Sequence, residues 1–389
     1  MVLSVHRYRT ARGVGVAAAA AVFVGCWAVL HYWFYAHNQI VDTPVYQGYG
    51  NAIDHGFVPY RDFPVEYPPG ALPVFVAPIY LYGYSDYADV FGWLMCGLGV
   101  LCIVAVAAAG GSRRALAMVA VSPLLIGSMV LSRFDLWPTL LVTCAVVALV
   151  HERHRVGWAA LGAAVAAKLF ALVLLPVALV WTFRRAGPRE LLRAATAGAA
   201  VVAAAFVPFA VLAPRGLWHS LSGQLSRPLQ IESLAASILT TFSKPTVVAT
   251  HGSLNLAGEG AVAATTTVLE VVVLLALWVG FALGPATRER LLRYSAACVC
   301  AFIVFGKVLS PQFLIWLVPL VPLVRGRRGV VASVLLGAAF VATLVYFPGR
   351  YWEYIFHLHL AWLVLLRNLV LVALLVALSL PERAPARSS

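Results

Sequence analysis

The chain has 389 residues, 62% of them hydrophobic and only 11% charged, with a formal net charge of +13. That composition excludes a soluble domain and points to a polytopic membrane protein. The basic excess does not imply nucleic acid, because the arginines lie at the ends of apolar runs and are not interleaved with aromatics on a soluble segment.

Residues 14 to 36 follow the basic stretch HRYRTARG, lack a small-residue cleavage site, and read as a retained span rather than a removed signal. Apolar runs of roughly 18 or more residues recur at 87 to 110, 191 to 213, 261 to 284, 328 to 347 and 357 to 380, each long enough to cross a bilayer as a helix. Arg7, Arg9 and Arg12 hold the N-terminus in the cytoplasm, so the first span delivers residues 37 to 86 to the outer face. The second returns the chain to Arg113 and Arg114. A tight hairpin of 115 to 132 and 135 to 150 then carries Arg133 and Asp135 at its tip and ends at HERHR.

Two further segments are apolar, carry one lysine in the middle and have arginines at both ends: Arg155 through Lys168 to Arg184 and Arg185, and Arg293 through Lys307 to the RGRR at 325 to 328. A single straight helix would put one arginine cluster of each outside, against the positive-inside bias, so each is expected to be a bent hairpin. Each half would reach roughly 20 Å against a ~30 Å hydrocarbon core, so a protein-lined cavity should meet the tip. The SPQ at 310 to 312 is a natural bend.

These assignments predict a single all-α polytopic domain over residues 1–389, with about 10–12 transmembrane helices counting short hairpin halves. They also predict an outward-facing polar cavity, since Asp42, Arg61, Asp62, Glu66, Arg133, Asp135, Lys168, Lys307, Gln312, Arg350, His357 and His359 fall at or near the same outer face. Residues 214 to 260, the longest non-spanning segment, also lie outside, as either a functional lid or a disordered loop. The six cysteines (26, 96, 102, 144, 298, 300) lie in apolar segments without metal-ligand or disulfide spacing, and no nucleotide-binding glycine motif occurs. No metal and no cofactor are expected. A lipid-linked sugar donor suits such a protein, because its phosphate leaving group can be stabilised by a lysine, arginine or histidine while a carboxylate takes the acceptor's proton.

The ordered blocks DTPVYQGYGNAIDHG from Asp42, PYRDFPVEYPPG, SRFDLWP, AAKLFALVLLP and GKVLSPQFLIWLVP, between residues 38 and 324, resemble the membrane glycosyltransferases of family 87 in the GT-C superfamily. The resemblance implies a GT-C-like fold and transfer of a sugar, mannose or arabinose, from a polyprenyl-phosphate carrier to an envelope glycolipid or glycan. It places the general base at an acidic residue early in the first outer loop, which here is Asp42. A helix cap at the start of 44 to 55, with Pro44 in the first turn, is the structural alternative for Asp42, and the two roles are compatible.

The substrate-binding candidates are Tyr46, Arg61, Asp62, Glu66, Tyr67, Arg133, Asp135, Lys168, Lys307, Ser310, Gln312 and His357. Structural alternatives stand beside them. Arg61 pairing with Asp62 or Glu66 would make a loop network, and Arg133 pairing with Asp135 would close the hairpin tip. His357 and His359 alternate at a spacing that lets at most one reach the cavity. Glu270 and Arg367, inside apolar spans, suit a buried structural pair or a lipid headgroup contact. A secondary transporter would also carry broken helices and midplane charges, but no inverted repeat is evident.

Overall fold

The computed structural model describes residues 2–37, 40–82 and 86–380. Among the described residues, six segments are long and apolar enough to cross a membrane: Gly13–Phe34, Tyr87–Ala108, Leu169–Leu212, Gly260–Leu283, Gly326–Tyr346 and Ala361–Ser379. They overlap the six apolar runs of the sequence, the third being longer than its run because it also takes in the 3-10 turn at Leu169–Leu174 and the helix that ends at Gly187, whose φ of 79° interrupts it.

Helix α1 (Val2–Val29) continues through a π-helical turn at Leu30–Phe34, and α2 (Thr43–Asp54) follows beyond it. Helices α3 (Leu72–Tyr82) and α4 (Tyr87–Ala108) come next, and the 22 residues of α4 reach about 33 Å, enough to cross the hydrocarbon core. Ser112 caps α5 (Arg113–Ile126), its hydroxyl accepting from the Ala115 N–H at 3.2 Å. Gly127, at a φ of 68°, ends α5 before the single turn of α6 (Met129–Ser132), and α7 (Leu136–Val150) returns the chain.

The two lysine-centred segments are bent. Helix α8 (His154–Ala167) stops at Lys168, a 3-10 turn occupies Leu169–Leu174, and the part of α9 (Leu175–Leu212) before Gly187 runs back. Arg155 pairs with Glu190 at 2.9 Å and Arg185 with Glu152, so both basic ends of the hairpin meet at one end of the molecule. The helices approach closely because Gly162 and Gly198 face the partner backbone: a Cβ on Gly198 would lie 2.8 Å from the Trp158 carbonyl. Helix α13 (Arg288–Phe305) likewise ends before Gly306, and the chain returns through 3-10 turns at Pro311–Leu317 and Val321–Leu323 to Arg325, beside Gly110.

The long segment between α9 and α12 (Gly260–Leu283), the outer segment of the sequence reading, takes regular structure. It forms α10 (Pro214–Leu225), α11 (Leu234–Phe242) and an antiparallel hairpin of β1 (Val247–Thr250) and β2 (Ser253–Leu256). His251 and Gly252 turn that hairpin with φ of 51° and 65°, the two positive angles that a two-residue turn of matching twist requires. The chain closes with α14 (Gly326–Tyr346), α15 (Tyr351–His357) and α16 (Ala361–Ser379).

The arginines gather opposite the hairpin tips. Arg184 donates to the carbonyls of Ala282 and Gly284, Arg290 to Gly280 at 2.6 Å and Arg293 to Leu380 at 2.6 Å, so guanidinium groups satisfy helix C-terminal carbonyls at that end. The tips at Arg133, Lys168 and Lys307 point to the other end, where they meet the outer segment.

Candidate active site

A cavity of about 700 Å³ opens at the tip end, under the outer segment. Five carboxylates, Asp42, Glu66, Asp135, Glu232 and Glu270, and four cations, Arg133, Lys168, Arg227 and Lys307, line it among the described residues. Such a density of charge between apolar helices needs pairing, and the pairing is specific.

Asp42 occupies the N-cap position of α2, yet its side chain makes no capping hydrogen bond. Its carboxylate pairs instead with Arg133, and Tyr46 donates its hydroxyl to Asp42 Oδ2 at 3.3 Å. The capping alternative therefore fails. A guanidinium adds the attraction of an opposite full charge to the hydrogen bond, which a backbone N–H does not offer. Tyr46 is fixed by stacking on Phe75, with ring centroids 4.4 Å apart, and by the edge of Tyr67 at 5.9 Å. Burial raises the Tyr67 phenol above its ordinary range, so it stays neutral.

Arg133 and Asp135 do not pair across the hairpin tip. Asp135 is buried and its Oδ1 accepts from Lys168 Nζ and from Trp316 Nε1, both at 2.6 Å. Lys168 lies 4.7 Å from the centre of the Phe134 ring and 5.1 Å from that of Trp316. Trp316 is itself held between Phe170 and Phe313, with centroids at 3.9 and 4.2 Å. The lysine's charge is thus matched by a carboxylate and by aromatic faces, which makes this tip a rigid wall.

The outer segment supplies the roof. Glu66 lies on the exposed loop before Tyr67, and its carbonyl accepts from Gln224 at 3.0 Å. Gly252 at the hairpin turn sits against the Glu66 carboxylate, where a Cβ would come within 2.8 Å of Oε1, and its positive φ favours glycine. Gly70 rests on the end of α8, where a Cβ would lie 2.6 Å from the Ala166 carbonyl carbon, and Trp137 donates to the Gly70 carbonyl at 3.0 Å. The EYPPG loop is thereby tied to the Lys168 tip.

Glu232 is buried, accepting from Tyr346 at 2.6 Å and from Gln230 at 3.0 Å, while Arg367 donates to its backbone carbonyl at 2.7 Å. Burial raises the Glu232 carboxyl, opposed by Arg367, Tyr346 and Gln230. Arg367 is therefore not partnered with Glu270, which lines the cavity near Lys307.

Asp42, Tyr46, Glu66, Tyr67, Arg133, Asp135, Lys168, Lys307, Ser310 and Gln312 share this one cavity. The substrate-binding candidates Arg61, Asp62 and His357 lie elsewhere, as do Arg350 and His359. Arg61 and Asp62 form a bidentate pair at 2.9 Å on a smaller pocket of about 190 Å³ against α10, where the Arg61 hydrogen bond and the Val58 N–H lower the Asp62 carboxyl. Arg350 pairs with Glu353 at 2.7 Å. His357 ends α15, exposed, with its ring stacked on that of His359 at 5.4 Å, and neither histidine lines the cavity. Sequence reasoning missed Arg227, Gln230 and Glu232, all on the outer segment.

Six candidate spans around one charged cavity make this a polytopic helical membrane protein, and its class is that of the membrane glycosyltransferases. Residues 65–311 match glycosyltransferase family 87, and the chain belongs to that family. Among solved structures, ArnT from Cupriavidus metallidurans bound to undecaprenyl phosphate aligns with a TM-score of 0.51 at 16% identity, covering 94% of this chain and 76% of that one. The same protein in the apo state aligns with a TM-score of 0.49 at 15% identity over 92% of this chain and 76% of that one. At these identities the likeness is one of fold. No curated protein matches the sequence.

Proposed function

We propose that this protein transfers a sugar, mannose foremost, from a polyprenyl-phosphate carrier to a hydroxyl of an envelope glycolipid or glycan on the outer side of the plasma membrane. The observation that carries the reading is the single cavity in which the Asp42 carboxylate and the cation Lys307 line one chamber at the end opposite the arginines. By the positive-inside bias the arginine end is cytoplasmic, so the cavity faces out. Family 87 membership favours glycosyl transfer over transport, and the undecaprenyl phosphate bound by ArnT supports a lipid-phosphate carrier.

In the proposed step the acceptor oxygen attacks the anomeric carbon as the bond from that carbon to the phosphate oxygen breaks. The acceptor proton passes to Asp42, the electron pair leaves with the lipid monophosphate, and the anomeric configuration inverts. Arg133 keeps a negative charge in place on Asp42, so the proton moves late in the step. Lys307 meets the charge that develops on the departing phosphate. Purified protein incubated with polyprenyl-phosphate mannose, arabinose and glucose in turn, with membrane glycolipid as acceptor, should release polyprenyl phosphate with one of them. Release with none of these donors, or a product of retained configuration, would sink the assignment.

A further inference from the structure

Of the four cations lining the cavity, two are neutralised within the protein: Arg133 by Asp42 and Lys168 by Asp135. Arg227 and Lys307 form no ion pair among the described residues. Their partners are backbone carbonyls, His251 at 3.4 Å for Arg227 Nη2 and Leu225 at 2.7 Å for Lys307 Nζ. Arg227 Nε is buried without any hydrogen-bond partner. The nearest acids, Glu66 to Arg227 and Glu270 to Lys307, act on them only from beyond ion-pair distance. Arg227 and Lys307 also stand close enough to repel one another. Two half-buried like charges, satisfied only by carbonyls, are costly unless an anion joins them.

The arrangement is built rather than incidental. The Gln230 N–H donates to the Lys307 carbonyl at 2.9 Å, the Leu309 N–H to Gln230 Oε1 at 3.3 Å, and Lys307 Nζ reaches back to the Leu225 carbonyl. The two stretches lock each other, one on either side of Arg227, so the spacing of the two cations is set before any ligand arrives.

We propose that Arg227 and Lys307 together form the seat of the donor phosphate, so that the outer segment between α9 and α12 holds the leaving group. This rests on the lipid-phosphate donor proposed above. A sugar-linked polyprenyl phosphate is a diester with one negative charge. Its departure as a monoester adds a second, up to about −2 in all. A second cation therefore acts more strongly on the transition state and on the released product than on the bound donor.

The test is binding of farnesyl phosphate to the full chain in neutral-lipid nanodiscs, with farnesol as the uncharged control and phosphatidylglycerol as the phosphodiester competitor. Arg227→Gln should weaken farnesyl phosphate on the order of 10-fold or more, as expected for a lost charge-assisted hydrogen bond, and leave farnesol unchanged. Arg227→Lys should fall between, and an unaltered unfolding temperature in both variants shows that the fold is kept. Wild-type affinity in Arg227→Gln would overturn the seat while leaving the donor reading intact. Equal competition by phosphatidylglycerol would make it a general headgroup site and overturn the seat as one for the donor. If the wild type binds no farnesyl phosphate, the donor reading itself falls, and the seat with it.

Discussion

Asp42→Asn removes two things at once, a proton acceptor and the carboxylate that neutralises Arg133. The first loss should lower turnover by ~10²-fold or more, the usual contribution of a positioned base. For the second, breaking a buried ion pair by deleting one partner costs about 3–5 kcal/mol. The Asp42 side chain is 28% exposed against 9% for Arg133, and Asp135 and Glu232 still act on the arginine, so the cost here should be ~1–3 kcal/mol. Adding Arg133→Met removes the stranded charge, and the double variant should regain most of the stability and none of the turnover. Unfolding can be followed with a thiol-reactive dye, because all six cysteines are free and none is exposed in the folded state. Turnover is read as polyprenyl phosphate released. Near-normal turnover in Asp42→Asn would pass the base to Glu66, and a double variant no more stable than the single one would refute the ion-pair argument.

Lys307→Ala should lower kcat/KM by about 2–4 kcal/mol of transition-state stabilisation, and an unchanged rate in a folded variant would leave the lysine a structural role only. Cysteines placed at Ser243 and Arg327 should label from outside the intact cell and only after permeabilisation, respectively; outside labelling at 327 would contradict the hairpin topology. Gly162→Val drives carbon into the Gly198 carbonyl on the facing helix and should destabilise by ~1–3 kcal/mol, whereas Gly48→Ala, with nothing within 4 Å of the added carbon, should not destabilise.

The six long spans were legible because their apolar runs are continuous and bounded by arginine. The two hairpins were legible because a straight helix through either lone lysine would carry one of its flanking arginine clusters across the membrane. What escaped is long-range pairing. A cap stood as the structural alternative for Asp42 because Pro44 falls in the first turn of a helix, and only the folded chain brings Arg133, from another hairpin, to its carboxylate. Arg227, Gln230 and Glu232 lie in a stretch with no hydrophobic period, and their places are set by partners distant in the chain, such as the Lys307 carbonyl for the Gln230 N–H. The pairing of Arg61 with Asp62 is local and was readable. His357 lies outside the cavity because it ends a seven-residue helix, exposed, so its expected nearness to the outer face did not bring it to the cavity.

The fourteen residues of α8 extend about 21 Å from the arginine end before the chain turns at Lys168. In a hydrocarbon layer ~30 Å thick that leaves the tip roughly 9 Å short of the far interface. On the proposed function, chemistry at that tip would be immersed, beneath the plane where phosphates of the surrounding leaflet lie. The carrier's phosphate would have to sink to reach it, drawing its first isoprene units down with it. An acceptor sugar would have to dip from above on a head group long or bendable enough to follow. Substrates would then be sorted by reach before any hydroxyl is recognised.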